Sequence, residues 1–306
     1  MSAVAGMSRK SDPDAFSRFH PAALLFYFCV VLFFTMFSLH PVILAVSFVS
    51  GFCYSVLLNG RKALRFSLAV LLPTAFAVAL LNPLFNHAGA TILFYLNENP
   101  VTLESMEYGG IYALAFTAVI VTFSCFNRIM TSDKLMYLFG RLAPVLSLMF
   151  SMTLRFVPRY KAQIGKIARA QECVGMDPFH GNVLRRAENG VRILSIFITW
   201  ALENAVESAD SMKARGFGLR GRTSFSVYAW GKRDKILLAA ELSAFAVALA
   251  GLISGRFDSQ YLPAVRIAGL DVGTFPFYAA YAAFCLLPVA VDIKEVLKWN
   301  RSKSAD

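Results

Sequence analysis

The chain is poor in charge and in the residue patterns that build a soluble catalytic site. Only 16% of its 306 residues are charged, against about 25% in an ordinary soluble domain. Its five cysteines form no C-x-x-C pair and its four histidines are isolated, so we expect neither a disulfide framework nor a metal site. It has no G-x-x-x-x-G-K-[ST] segment, so we expect no ATP hydrolysis by this chain and no bound cofactor.

Apolar residues, in contrast, make up 57% of the chain. A membrane span needs about 20 consecutive apolar residues, and six stretches with almost no charge approach that length. They are 21–39, 41–58, 66–81, 110–127, 236–254 and 274–291. The sequence therefore predicts an all-α polytopic membrane protein with about six transmembrane helices. Glu241 is the one acidic or basic residue inside these stretches, and we expect it to snorkel to the interface or to pair with a basic residue.

The positions of lysine and arginine give one consistent orientation. If both termini are cytoplasmic, 28 of the 30 basic residues lie on the inner side, as the positive-inside rule requires. The domains predicted on this basis are a cytoplasmic leader (1–20), a four-span membrane region (21–127), a cytoplasmic module (128–235) and a two-span hairpin with a basic tail (236–306). The module holds 18 basic and 8 acidic residues, which accounts for most of the net charge of +11. We therefore expect the lipid bilayer, and not nucleic acid, as the partner of this charge.

The predicted module between the fourth and fifth spans has the periodicity of long amphipathic helices. We expect Asp133 to be an N-cap, and Pro144 and Pro158 to break or kink the first helical run. That run should end at Gly175, and a second helix should begin near Arg185.

The second helix should end at Lys213-Ala214-Arg215-Gly216, where basic residues precede a glycine that suits a helix stop. This pattern fits two descriptions. The helices can be interfacial helices with ordinary caps, or their tips can dock a cytoplasmic partner, because an arginine at a helix end can bind a carboxylate with two hydrogen bonds.

An ordered set of motifs resembles the transmembrane T component of energy-coupling-factor (ECF) importers, the EcfT/CbiQ-like subunit of prokaryotic vitamin and metal uptake systems. The matching pieces span 82–223. In chain order they are Asn82-Pro83-Leu84-Phe85-Asn86-His87-x-Gly89, Val101-Thr102-Leu103-Glu104 with Tyr108-Gly109, Leu154-Arg155-Phe156-Val157-Pro158, Ala170-Gln171-Glu172, and Met212-Lys213-Ala214-Arg215-Gly216-Phe217-Gly218 with Arg222-Thr223.

The resemblance implies two Ala-Arg-Gly motifs, one at the tip of each coupling helix, that dock on a pair of ATP-binding-cassette (ABC) ATPase subunits. The second motif is intact as Ala214-Arg215-Gly216. The first reads Cys173-Val174-Gly175, which keeps the glycine and loses the arginine, and Arg169 about one turn upstream is a partial substitute. The docking residues implied are thus 173–175, 214–216 and Arg169.

The resemblance also implies a non-catalytic subunit in the prokaryotic cell membrane. Its partners would be the two ABC ATPases, which use the ATP, and a small membrane subunit that captures the substrate. Substrate choice, a vitamin or a transition-metal ion, would belong to that capture subunit.

Two other classes of protein remain alternatives. A stand-alone secondary transporter would show polar residues or broken helices inside the membrane, and Pro73 and Pro288 are the weak candidates for such breaks. An integral membrane enzyme would need clustered Asp, His or Cys at the end of a span, but Asp133, Asp177 and Asp210 are far apart in the sequence.

Overall fold

A computed structural model describes residues 15–86, 89, 91–96, 99–176, 182–217, 219, 228–261, 266–267 and 273–303. Within them the chain forms ten α-helices and two short antiparallel β-hairpins. The helices are α1 (Pro21–Phe37), α2 (Pro41–Asn59), α3 (Arg61–Phe66), α4 (Leu72–Phe85), α5 (Leu103–Ile129), α6 (Ser132–Leu142), α7 (Pro144–Cys173), α8 (Val183–Ala214), α9 (Lys232–Ile253) and α10 (Phe275–Lys303). The hairpins pair β1 (Ile92–Leu96) with β2 (Asn99–Thr102), and β3 (Ser259–Gln260) with β4 (Arg266–Ile267).

The chain divides into two compact units. The first unit contains 1–132 and 228–306, and the second contains 133–227. All the helices from α1 to α5, together with α9 and α10, belong to the first unit, whereas α7 and α8 form most of the second.

Helices of the first unit match the predicted spans. Five segments are long and apolar enough to cross a bilayer: Pro41–Asn59, Arg61–Phe85, Leu103–Ile129, Lys232–Ile253 and Phe275–Lys298. The helix α1 is also apolar but has only 17 residues. The prediction of an all-α, multi-pass membrane protein is therefore confirmed, although α5 begins seven residues earlier than the predicted start of its span.

Two histidine-proline pairs start the first two helices. The His20 Nδ1 atom accepts a hydrogen bond from the Ala22 N–H at 3.2 Å, and the His40 Nδ1 atom accepts one from the Val42 N–H at 3.4 Å. The proline that follows each histidine occupies the first helical turn, where its missing N–H costs nothing. These histidines therefore lie at the starts of α1 and α2 and act as helix caps.

Aromatic rings form the core of the first unit. Tyr27 of α1 stacks on Phe284 of α10 with a centroid distance of 5.3 Å, and both side chains are buried. Hydroxyl groups in this core bond across helices: the Tyr27 hydroxyl donates to the Cys285 carbonyl at 3.0 Å, and the Ser47 and Tyr281 hydroxyls lie 2.6 Å apart. The core thus joins helices from both ends of the chain.

The last residues of the predicted leader belong to this core as well. Phe16, in a 3₁₀ turn over Phe16–Arg18, is fully buried, and its N–H donates to Asp292 Oδ1 of α10 at 3.0 Å. The His20 N–H donates to Asp234 Oδ1 near the start of α9, also at 3.0 Å. The sequence indicated nothing beyond charge in this segment, but its end ties α1 to α9 and α10.

The expectation for Glu241 is wrong. Its side chain is fully buried, and neither carboxylate oxygen has a hydrogen-bond partner among the described residues. The physical reason is its face on α9, because Glu241 lies one turn from Leu237 and two turns from Ala248, and all three are buried. A side chain on that face is enclosed by the protein.

The expectation for Asp133 and the expected break at Pro158 also need correction. The helix α6 begins at Ser132, so Asp133 lies inside its first turn and is not the N-cap. The helix α7 begins at Pro144 and runs without a break through Pro158 to Cys173. A proline removes one N–H from a helix, but the remaining hydrogen bonds of this long helix hold the segment together.

One span of the first unit is packed far less than the others. In the segment Arg61–Phe85, 11% of the most apolar 18-residue stretch is buried. The corresponding share in the other four segments is 22–44%. Between α3 and α4 it contains a π-helical stretch over Ser67–Leu71, which no sequence pattern indicated. Its large side chains, such as Leu68 and Phe76, are exposed and available to lipid or to another membrane protein.

Candidate functional site

The second unit is built around an aromatic cluster between α7 and α8. Tyr160 of α7 packs edge-on against Phe197 and Trp200 of α8, with centroid distances of 5.4 and 5.7 Å. Phe156 stacks on Tyr160 one turn earlier, and the Arg159 guanidinium lies 5.7 Å from the Trp200 ring centroid. Aromatic pairs of this kind contribute about 0.5–1.5 kcal/mol each beyond the area they bury.

The two helices of this unit are antiparallel. Tyr160 contacts α8 near Trp200, whereas Met176, just after the end of α7, contacts Arg192. Moving forward along α7 is therefore moving backward along α8. The C-terminal ends of α7 and α8 consequently lie at opposite ends of the pair, each about 21 Å from the aromatic cluster at a rise of 1.5 Å per residue.

The C-terminal end of α7 is a complete Schellman motif. Val174 is the C-cap, and Gly175 follows it with a φ of 81°. The Gly175 N–H donates to the Glu172 carbonyl at 2.9 Å, and the Met176 N–H donates to the Gln171 carbonyl at 2.9 Å. This pair of bonds defines the motif and satisfies carbonyls that the helix itself leaves open. We call Cys173-Val174-Gly175 the first tip.

The C-terminal end of α8 has the same geometry. Arg215 is the C-cap, and Gly216 follows it with a φ of 75°. The Gly216 N–H donates to the Lys213 carbonyl at 2.9 Å, and the Phe217 N–H donates to the Met212 carbonyl at 3.0 Å. We call Ala214-Arg215-Gly216 the second tip. The predicted helix stops at Gly175 and Gly216 are therefore confirmed.

The two tips thus share a backbone and differ in side chains. Val174 occupies the place of Arg215, and both residues are exposed, Val174 to 69%. Cys173 corresponds to Ala214 and is also exposed. Arg169 is five residues before the C-cap of α7, so it does not occupy the position of the missing arginine. Its role as a substitute stays a prediction.

Sequence reasoning missed the aromatic cluster that holds these helices together. The signal was present, because Phe156 and Tyr160 are four residues apart and Phe197 and Trp200 are three apart, which places each pair on one helix face. It was not distinguishable from the general abundance of aromatics, of which the chain has 28 Phe and 11 Tyr.

Motif residues from 86 to 105 come together at the junction of α4 and α5. The buried carboxylate of Glu104 accepts hydrogen bonds from the Thr91 N–H at 3.2 Å and from the Thr91 hydroxyl at 2.8 Å. The Ser105 hydroxyl donates to the Asn86 carbonyl at 2.6 Å, and Thr102 caps α5. These contacts explain the motif as a structural one that fixes the β1–β2 hairpin against α5.

Exposed apolar side chains are abundant on α7 and α8. Of the described apolar side chains in 133–227, only Ile167 and Ile193 are buried. The exposed ones include Val145, Leu146, Met149, Phe150, Leu154, Val157, Val191, Leu194, Ile198, Leu202 and Val206. A surface of this extent is typical of membrane or protein contact. No group of three His, Cys, Asp or Glu able to hold a metal ion occurs in the part of the chain that the structure describes.

These features define a class of protein: a multi-pass α-helical membrane protein that carries a separate pair of long amphipathic helices. The family model for CbiQ, described as cobalt transport protein, matches residues 18–226, which include α1 to α8 with both tips. The chain belongs to this family and is an EcfT/CbiQ-like T component.

Three curated relatives carry the name energy-coupling factor transporter transmembrane protein. The chain is 30% identical over 162 residues to energy-coupling factor transporter transmembrane protein EcfT 1 of Listeria monocytogenes, covering 49% of this chain and 60% of the relative. It is 37% identical over 95 residues to EcfT of Lactobacillus helveticus (31% and 34% covered) and 26% identical over 228 residues to EcfT of Streptococcus thermophilus (71% and 80% covered). The chain thus spans less than two thirds of the first two relatives and four fifths of the third.

Proposed function

We propose that this chain is the coupling subunit of an ECF-type importer and itself catalyses no reaction. It connects two ABC ATPase subunits, which hydrolyse ATP, to a small membrane subunit that captures a vitamin or a transition-metal ion. The relatives named EcfT support this assignment. In this proposal both termini are cytoplasmic and the protein lies in the prokaryotic cell membrane, because 28 of 30 basic residues then face inward.

The observation that carries the proposal is the pair of matching tips. Each tip ends a helix of 30 or 32 residues, presents an exposed C-cap side chain and turns away sharply at a glycine. Because α7 and α8 are antiparallel, the tips lie about 40 Å apart by the helical rise. Two separate subunits can therefore be engaged at once, one by each tip.

The second tip would dock through charge. The Arg215 side chain is exposed at the C-cap, and its planar guanidinium can form two parallel hydrogen bonds with one carboxylate. Gly216 allows the chain to turn immediately afterwards, so the arginine stands at the end of the helix. The first tip, with Val174 in this place, would dock through apolar packing.

The capture subunit would bind the exposed apolar faces of the spans and of α7 and α8. The weakly packed span over Arg61–Phe85 and the apolar first half of α7 support this part of the proposal. An ATP-driven movement of the ATPases would then displace the tips, and α7 and α8 would pass that movement to the capture subunit.

Substitution of Arg215 tests the function. We expect Arg215→Glu to weaken ATPase association by about 2–5 kcal/mol, because it places a negative charge against a carboxylate. Uptake should be abolished and the amount of protein in the membrane should not change. The measurements are affinity purification from mild-detergent membranes of the native host, with co-purifying ATPases quantified by mass spectrometry, and an uptake assay for the substrate class that the co-purified capture subunit indicates.

Lys161→Glu is the control, since Lys161 is an exposed cation beside the aromatic cluster and lies about 20 Å from either tip by the helical rise. It should bind both ATPases normally. Arg169→Ala tests separately whether Arg169 contributes to docking at the first tip. A chain that purifies alone and transports a solute or shows enzymatic activity after reconstitution would contradict the coupling function and favour a secondary transporter or a membrane enzyme.

A further inference from the structure

The shared geometry of the two tips allows α7 and α8 to be compared residue by residue. With the C-caps Val174 and Arg215 as a common origin, every position of the last three turns of α7 has a counterpart on α8. Both helices are regular there, and both end in the same pair of hydrogen bonds. Differences between counterpart side chains are therefore differences at equivalent places in space around each tip.

Charge is inverted at three consecutive equivalent places. Eight, five and two residues before the C-cap, α7 is positive, positive and negative, whereas α8 is negative, negative and positive. The counterpart pairs are Lys166 and Glu207, Arg169 and Asp210, and Glu172 and Lys213. All six side chains are exposed. Residues three apart lie on neighbouring positions of a helix surface, so each set forms a stripe about 9 Å long that leads to the tip.

Helix stability does not explain this inversion. Cations are favourable and anions unfavourable near a helix C-terminus, because of the helix dipole. Lys213 in the last turn of α8 follows that preference, and it lies 3.8 Å from Asp210. Glu172 in the last turn of α7 opposes it. Opposite charges three residues apart, as in Asp210 and Lys213 or Arg169 and Glu172, stabilise a helix in either order, whereas the dipole favours only the order found on α8. The exposed stripe on α7 lies next to a docking tip, where a partner would contact it.

We propose that the two tips bind two ATPase subunits of different sequence and that the two stripes decide which subunit binds which tip. The partner at the first tip presents acidic groups to Lys166 and Arg169 and an apolar cup to Val174. The partner at the second tip presents basic groups to Glu207 and Asp210 and a carboxylate to Arg215. A single protein surface cannot be complementary to both stripes, since the charges that suit one repel the other.

This inference rests on the proposed function and goes further, because it names the residues that determine partner choice. The test exchanges the stripes. One variant gives α7 the side chains of α8 through Lys166→Glu, Arg169→Asp, Glu172→Lys and Val174→Arg. A second gives α8 the side chains of α7 through Glu207→Lys, Asp210→Arg, Lys213→Glu and Arg215→Val. A third combines all eight changes. Each tagged chain is purified from native-host membranes, and ATPases are identified and counted per chain by mass spectrometry with labelled standards.

We expect the unaltered chain to carry one copy each of two different ABC ATPases. The first variant should lose one of them by about tenfold or more and keep or double the other. The second variant should show the reverse. The combined variant should bind both again, with their places exchanged. Lys161→Glu and Glu203→Lys, which make the same kinds of change farther from the tips on α7 and α8, should leave both ATPases bound.

Three outcomes would overturn the inference. Two copies of one ATPase on the unaltered chain would refute it and leave the proposed function standing. Equal loss of both ATPases from either single-tip variant, or no loss from both of them, would refute partner choice by the stripes. Absence of any ABC ATPase from the unaltered chain would refute the proposed function, and with it this inference. Circular dichroism and gel filtration in detergent confirm that each variant is folded before the counts are compared.

Discussion

The two units of this protein are stabilised in different ways. In the first unit, helices from both ends of the chain share one buried aromatic core, and hydroxyl groups such as that of Tyr27 bond across it. In the second unit, of the apolar side chains that the structure describes, Ile167 and Ile193 alone are buried, and an aromatic cluster around Tyr160 joins α7 to α8. The first unit has a buried core besides its exposed apolar span faces, whereas the second leaves nearly all of its described apolar side chains at least partly exposed.

This difference in packing suits the two units to different mechanical roles. A unit with a closely packed core resists deformation, because protein interiors have low compressibility. A pair of long helices with few buried contacts can shift at low cost, and its exposed apolar faces suit membrane or protein partners. The proposed coupling function needs both properties, a fixed membrane anchor and a responsive pair of helices.

The largest expected effect separates the two units by their cores. Phe284→Ala should lower the stability of the first unit by about 3–5 kcal/mol, because it empties a fully packed aromatic site; Phe284 is 1% exposed and stacks on Tyr27. The measurement is the thermal unfolding of the detergent-purified chain. Phe275→Ala on the same helix, where the ring is 68% exposed, is the control and should change little. Equal effects of the two changes would contradict the division.

A smaller effect of opposite sign is expected at Glu241, the exception within the first unit. Its buried carboxylate lacks hydrogen-bond partners among the described residues, and an unsatisfied buried polar group costs about 1–3 kcal/mol. Glu241→Leu should therefore raise the unfolding temperature. Glu295→Leu, at an exposed position of α10, should stay within about 0.5 kcal/mol of the unaltered chain. A loss of stability in Glu241→Leu would mean that the carboxyl has a partner in the folded protein.

The smallest expected effects lie at the tips of the second unit. Gly175→Ala should cost about 1 kcal/mol, because the left-handed backbone there disfavours a side chain. Gly216→Ala should cost about the same, since the Leu219 Cδ1 atom that its Cβ would approach to 3.0 Å ends an exposed side chain that can move aside. Gly190→Ala, inside α8 with open space around it, should instead stabilise the helix by about 0.5–1 kcal/mol. Limited proteolysis of 133–227 measures all three, and equal signs would contradict the assigned tip geometry.

Much of the fold was predictable because its determinants are local in sequence. Apolar runs of bilayer length gave the spans, and a glycine after a polar last turn gave the ends of α7 and α8. The docking role of the tip residues stays a prediction that rests on resemblance, since no spacing rule identifies a partner. The first motif, Cys173-Val174-Gly175, is altered, so its sequence alone does not show that it is equivalent to the second. The matching Schellman hydrogen bonds show that the two helix ends have the same backbone geometry.

Other features depend on contacts between distant segments, and the sequence could not give them. The burial of Glu241 depends on which face of α9 meets its neighbours. The anchoring of Phe16 depends on Asp292, which lies 276 residues away. The continuity of α7 through Pro158 depends on the combined hydrogen bonds of a 30-residue helix, which outweigh a local propensity that alone favours a break.

Because α7 and α8 are antiparallel, their tips lie on opposite sides of the aromatic cluster and at similar distances from it. Each arm from the aromatic cluster to a tip is about 21 Å long, so a rotation of about 10° around that cluster would carry each tip about 4 Å, in opposite directions. Pro158 lies two residues from Tyr160, so α7 lacks one backbone hydrogen bond near the aromatic cluster. Beyond that point the helix is uninterrupted up to Cys173. If the pair rotates as one body, movement of one tip displaces the other in the opposite direction, and in the proposed function this would link the movements of the two ATPases.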